Sequence, residues 1–188
     1  MGRWQPDARG RLSRAALELY VERGFDRTSV AEIAERAGLT ERTFFRHYAD
    51  KREVLFAGSD ELREVLARAV AQAPGSATPM DAVAAALEDA AAVLEARQEH
   101  ARQRQSVIDA NSELQERELI KLASLSSALA DALRLRGVDE ASAGLAAEVG
   151  IVVFKSAFRR WVERTEEKEL ARFIRESLAG LRAVAADA

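Results

Sequence analysis

Apolar residues recur along this chain at helical spacing from the eighth residue almost to the end. Over 8–23, Leu12, Ala15, Ala16 and Leu19 form one stripe, and Arg23 followed by Gly24 supplies a C-terminal stop. The segment "TSVAEIAERAG" starts afresh. Ser29 and Glu32 have capping-box spacing, Val30, Ile33, Ala34 and Ala37 continue the stripe, and Gly38 ends a short helix. Thr40 can cap the next short helix, and Asp50 with Glu53 caps a long one expected to begin at Lys51. A short helix, a glycine-containing turn and a second short helix are the signature of a helix-turn-helix, whose second helix enters the DNA major groove.

After residue 52 the helices lengthen. "APGSATP" is the clearest interruption, and Pro79 behind Thr78 suits a first helical position. Helical pattern runs from Met80 to Asp109 with a break near His100, then from Asn111 to Arg136, and after "RGVD" from Glu140 to Arg164. A last helix is expected from near Thr165, with Leu170, Phe173, Ile174, Leu178 and Leu181 on one face. The only strand candidate, the Val/Ile/Phe cluster 151–154, has helical pattern on both sides. The expected fold class is all-α.

The 188 residues suffice for one well-buried domain or two small ones, and net charge is −3. That sum hides an asymmetry. Residues 1–52 hold 11 Lys/Arg against 8 Asp/Glu, whereas the remainder holds 17 against 23. A basic head on an acidic body suggests that one end meets a polyanion. With no cysteine there is no thiolate chemistry, and the two histidines, His47 and His100, are far apart in sequence. Ala96 and Arg104 flank His100 at helical ligand spacing, so no metal pair forms there, and no glycine-rich phosphate loop exists. No enzyme, metal or cofactor is expected. The N-terminus "MGRWQPDARGR" lacks a signal peptide's apolar core. "MDAVAAALEDAAAVLEA", read as the most apolar stretch, is broken by Glu88 and Asp89. No membrane is expected, and the location expected is cytoplasmic.

The stretch "GFDRTSVAEIAERAGLTERTFFRHYADKREVL", Gly24 to Leu55, resembles the DNA-binding signature of the TetR-type transcriptional regulators at every fixed position. The resemblance covers about the first third of the chain. It implies a homodimer on near-palindromic double-stranded DNA, joined through its last two helices. It further implies that a small-molecule effector enters the helical body, changes the spacing of the heads and releases the DNA. The domains are then a helix-turn-helix head over 1–52, with the motif at about 29–48, and an effector-binding and dimerisation body over 53–188. A repressor is expected. A ligand-independent regulator, an activator or a helical protein-interaction module are the alternatives.

The resemblance assigns DNA contacts residue by residue. Thr40 and Thr43 offer hydroxyls to phosphates, and Arg42 reaches phosphate or a guanine edge. Glu41 either accepts from a cytosine amine or repels phosphate. Phe45 packs on the sugar-phosphate backbone, where phenylalanine keeps the packing of the family's usual tyrosine but loses its hydroxyl, while Phe44 and Tyr48 face inward. His47 and Lys51 match phosphate-contacting positions, and Arg46 is either a contact or a solvated charge. Ser29 caps a helix whose N-terminus can meet a phosphate, and Ala31 replaces a common basic residue, so that this helix makes one contact fewer. Apart from the resemblance, the basic start of the chain puts Arg9, Arg11 and Arg3 near the DNA, where they form either a minor-groove arm or, for Arg3 above all, a frayed basic terminus.

In the body, Phe154, Phe158 and Trp161 line either a ligand cavity or an ordinary core or dimer interface. Arg97, His100, Arg104, Ser106 and Asn111 surround the expected helix break and either hold an acidic ligand or are solvated. If they hold a ligand, Arg104→Ala weakens effector response and leaves DNA affinity intact.

Overall fold

The computed structural model describes residues 7–164 and 169–186, and no strand occurs among them. The helices are α1 (Ala8–Arg23), α2 (Val30–Arg36), α3 (Glu41–His47), α4 (Ser59–Gln72), α5 (Pro79–Glu95), α6 (Gln98–Asp109), α7 (Ser112–Leu135), α8 (Glu140–Glu163) and α9 (Leu170–Ala186), with a 3-10 turn at Glu53–Phe56.

Local capping sets the short elements. The Ser29 hydroxyl accepts the Glu32 N–H at 3.2 Å while the Glu32 carboxylate accepts the Ser29 N–H at 2.9 Å. Two of the orphan donors at the start of α2 are thus satisfied. Thr40 accepts the Thr43 N–H at 3.2 Å, and Thr78 accepts that of Asp81 at 3.2 Å, with Pro79 at the first position of α5. Each such cap stabilises its helix by about 1 kcal/mol.

Two boundaries depart from the pattern. Asp50 accepts the N–H groups of Arg52 at 2.8 Å and Glu53 at 3.2 Å, but the element that follows is a 3-10 turn with Arg52 at its cap position rather than a long helix from Lys51. Val54, Leu55 and Phe56 are all buried. Three consecutive residues span more of a helix surface than one apolar stripe, so a surface α-helix could not bury them together. The second break falls at Ala96–Arg97, before His100, where the Gln98 amide donates to the carbonyls of Trp161 at 3.2 Å and Arg164 at 2.9 Å. The expected start of the last helix near Thr165 lies outside the described residues.

The described chain forms two compact units. The first runs to Ala57 and includes 103–118. In it α1, α2 and α3 pack on one another around Leu12, Leu19, Ile33 and Phe44. Val107, Ile108 and Leu114, from the end of α6 and the start of α7, complete that core. The second unit comprises 58–102 and the chain from Leu119 on. There α5 packs against α4, α8 and α9 through an alanine-rich core. By length and composition α8 alone among the described helices is long and apolar enough to cross a bilayer, and ten of its residues are buried in the second unit.

Candidate nucleic-acid interface

Helix α3 is anchored by one side and presents the other. Phe44 is 0% exposed and Tyr48 is buried, their rings 5.6 Å apart, whereas Phe45 is 56% exposed. Glu41, Arg42, Phe45 and Arg46 occupy i, i+1, i+4 and i+5, which is one continuous outward strip of helix, and all four are exposed. Among the described residues neither Arg42 nor Arg46 pairs with a carboxylate. Arg23, Arg36 and Arg52 do pair, with Glu32, Glu22 and Asp50 at 2.9, 2.9 and 2.7 Å. A solvated cation beside an exposed ring is suited to a phosphate backbone. The Thr40 and Thr43 hydroxyls lie 3.1 Å apart at the start of α3. Ser29 has its hydroxyl committed to the capping box, where it also donates to Glu32 at 2.9 Å.

Carboxylates in this unit are tuned by their caps. Hydrogen bonds from the Ser29 backbone hold Glu32 below the usual carboxylate range, and the Arg52 guanidinium does the same for Asp50.

Other expected contact residues turn inward. Arg9 and Arg11 belong to the first turn of α1 rather than to an arm. Arg9 donates to the Ala57 carbonyl at 2.8 Å and stacks on Tyr48, while Arg11 donates to the carbonyl of Ala37 at the end of α2. Unsatisfied carbonyls at a helix C-terminus attract a cation, which explains why Arg11 is drawn onto α2. Arg3 lies outside the described residues. His47 is half-buried, and its Nε2 is buried without a hydrogen-bond partner. Lys51 donates to carbonyls of the α1–α2 turn.

The residues considered for a ligand are divided between the units. Arg104 lies in the first unit, its side chain 19% exposed, donating to the Leu55 carbonyl at 2.6 Å, pairing with Glu118 at 3.4 Å and lying 4.8 Å over the Phe56 ring. Those partners use its charge and its flat face within the head. Asn111 also belongs to the first unit, and its amide closes the end of α6 on the Val107 carbonyl at 2.6 Å. Arg97 and His100 are exposed in the second unit. Trp161 is fully buried there, with Phe158 5.6 Å away and Phe154 a further ring along, as expected of core. A cleft of about 540 Å³ in the second unit is lined by Glu95, Gln98, Glu99, Arg102 and Arg164 among others, and by none of the eight residues considered for a ligand.

The chain is similar to known proteins. Residues 12–57 match the family model of bacterial regulatory proteins, tetR family, and residues 77–186 match that of the MftR C-terminal domain. The HTH-type transcriptional regulator TcmR of Streptomyces glaucescens is 37% identical over 78 residues, which are 42% of this chain and 34% of that protein. The match thus spans about a third of that relative's length. Among solved structures, FadR of Bacillus subtilis in complex with stearoyl-CoA superposes with a TM-score of 0.62 at 18% identity, covering 90% of this chain and 95% of that one. The SmeT–triclosan complex gives 0.64 at 22%, covering 92% and 90%. These two show the fold, and the relatives are regulators rather than enzymes. With one family model on the head and another on more than half of its length, the chain belongs to the tetR family of bacterial regulatory proteins and is a helix-turn-helix, DNA-binding transcription regulator.

Proposed function

We propose that this regulator is a homodimeric repressor that a small-molecule effector releases from a near-palindromic operator. The observation that carries the DNA part is the outward strip of α3, Glu41, Arg42, Phe45 and Arg46, held rigid from behind by buried Phe44 and Tyr48. Arg42 reads a guanine edge or a phosphate, Phe45 packs on the sugar-phosphate backbone, and Arg46 neutralises phosphate. Thr40, Thr43 and His47 flank the strip. Two heads address half-sites about 34–36 Å apart or a multiple of that distance.

Dimerisation through α8 and α9 is supported by Leu145 and Val152, 68% and 62% exposed and two turns apart on one face of α8. Apolar residues so placed on a helix favour burial against a second copy. The effector class is suggested by FadR and SmeT, solved with a fatty acyl thioester and a chlorinated aromatic compound respectively.

Fluorescence anisotropy tests the reading. The probe is DNA from upstream of the chain's own gene, at two salt concentrations, beside an unrelated duplex and the Arg42→Ala variant. Selective binding that weakens steeply with salt and disappears in Arg42→Ala is the expected result. Equal weak binding to both duplexes, and to duplexes selected from a random-sequence library, would refute it. Release by stearoyl-CoA or triclosan then tests the effector, and the sign of the change in run-off transcription separates repressor from activator.

A further inference from the structure

Lys51 lies four residues beyond the end of α3, and its motif position assigns it to a phosphate. Its ammonium has three N–H groups. They meet the carbonyls of Phe25 at 2.9 Å, Thr28 at 3.0 Å and Asp26 at 3.5 Å, and Nζ lies 4.3 Å from the centre of the Phe25 ring. The backbone of the same residue is held from the other side, where the Tyr20 hydroxyl donates to the Lys51 carbonyl at 2.6 Å. Burial pushes the Tyr20 phenol pKa up, which keeps that donor protonated.

We propose that Lys51 is a positioning residue of the DNA head, resting on the reading of that head as a DNA binder, and that it neutralises no phosphate. Its ammonium ties the turn in front of α2, whose cap Ser29 directly succeeds Thr28, to the segment that leaves α3. The pin therefore joins the entrance of one motif helix to the exit of the other and sets the angle between them. An ammonium bonded to these carbonyl dipoles and lying over a ring face has exchanged part of its water shell for them. Swinging out to a phosphate would take this donor from the Thr28 carbonyl and leave the Phe25 carbonyl with only the Thr28 N–H, at 3.2 Å.

Two measurements test this. Acetic anhydride labelling of the full-length wild-type protein, read by mass spectrometry, should modify Lys51 about ten- to a hundredfold more slowly than in the urea-unfolded chain. Adding a duplex selected from a random-sequence library by the wild-type protein should not slow it further. Unprotected labelling in the free protein, with protection appearing only on DNA, overturns the proposal. The second measurement compares Lys51→Met with Arg46→Ala in plots of log Kd against log salt on that duplex. Lys51→Met should give a weaker line parallel to the wild type, whereas Arg46→Ala should reduce the slope by about 0.9 for each phosphate it no longer neutralises. A reduced slope for Lys51→Met also overturns the proposal. If Lys51→Met does not fold, the wild-type labelling decides alone. Wild-type protein that binds no duplex would refute the proposed function while leaving the free-protein labelling as a test of the pin.

Discussion

Gly150 and Gly144 lie six residues apart on α8, and alanine should act oppositely at the two. At Gly150 a Cβ would sit 2.4 Å from Cγ1 of Val83 on α5, with Leu129 Cδ1 at 3.8 Å, whereas at Gly144 nothing lies within 4 Å. Alanine is favoured over glycine inside a helix by about 1 kcal/mol. At Gly144 that preference acts unopposed, so Gly144→Ala should stabilise by about that amount. At Gly150 the clash must be relieved by Val83, which is β-branched, fully buried and stiff about χ1, or by α8 moving off α5. Overpacking of this kind costs about 1–3 kcal/mol. Gly150→Ala should therefore range from neutral to about 2 kcal/mol destabilising, leaving a gap of about 1–3 kcal/mol between the two variants. Urea unfolding of the full-length protein, monitored by fluorescence of the buried Trp161, measures it. In a Val83→Ala background the penalty at Gly150 should disappear, since the atom it meets is gone. Equal stabilisation by both alanines would refute the close α5–α8 approach.

Arg104→Ala should destabilise the head by about 1.5–3 kcal/mol, since it removes a partly buried charged donor from the Leu55 carbonyl. It should also weaken DNA binding, and unchanged stability and affinity would sink that role. Gly38 has a φ of +63°, and a Cβ there would lie 3.0 Å from the Arg11 guanidinium. Gly38→Ala should cost about 1–2 kcal/mol in thermal unfolding, and an unchanged Tm would exclude the left-handed turn. Asp50→Asn should be most destabilising near neutral pH. The folded-state pKa of Asp50 is depressed, so the stability it contributes is present above the unfolded-state value and lost as pH falls through the folded one. The gap between wild type and variant should thus close on acidification below the ordinary carboxylate range, and a pH-independent gap would contradict the role assigned to the Arg52 pair.

Interactions within a few residues could be read directly from spacing. The Ser29–Glu32 box, the caps at Thr40 and Thr78, and the inward Phe44 against the outward Phe45 all depend on contacts at i+1 to i+4. Their geometry comes from helical periodicity, and so the helix-turn-helix and its exposed strip were visible in the linear order of residues. The destinations of Arg9, Arg11, Lys51 and Arg104 were not. Each ends on a backbone carbonyl 23 to 49 residues away. Any residue supplies a carbonyl, so no side-chain pattern marks such an acceptor. For the same reason the cations of the head could not be sorted by sequence into those offered to DNA and those spent on closing turns. The recruitment of Val107, Ile108 and Leu114 into the head core, and the break at Ala96–Arg97, were likewise decided by packing between distant segments. Local chemistry determined which helices form and which side of α3 is presented, while tertiary contacts chose the ends of helices and the cations that remain free for a partner.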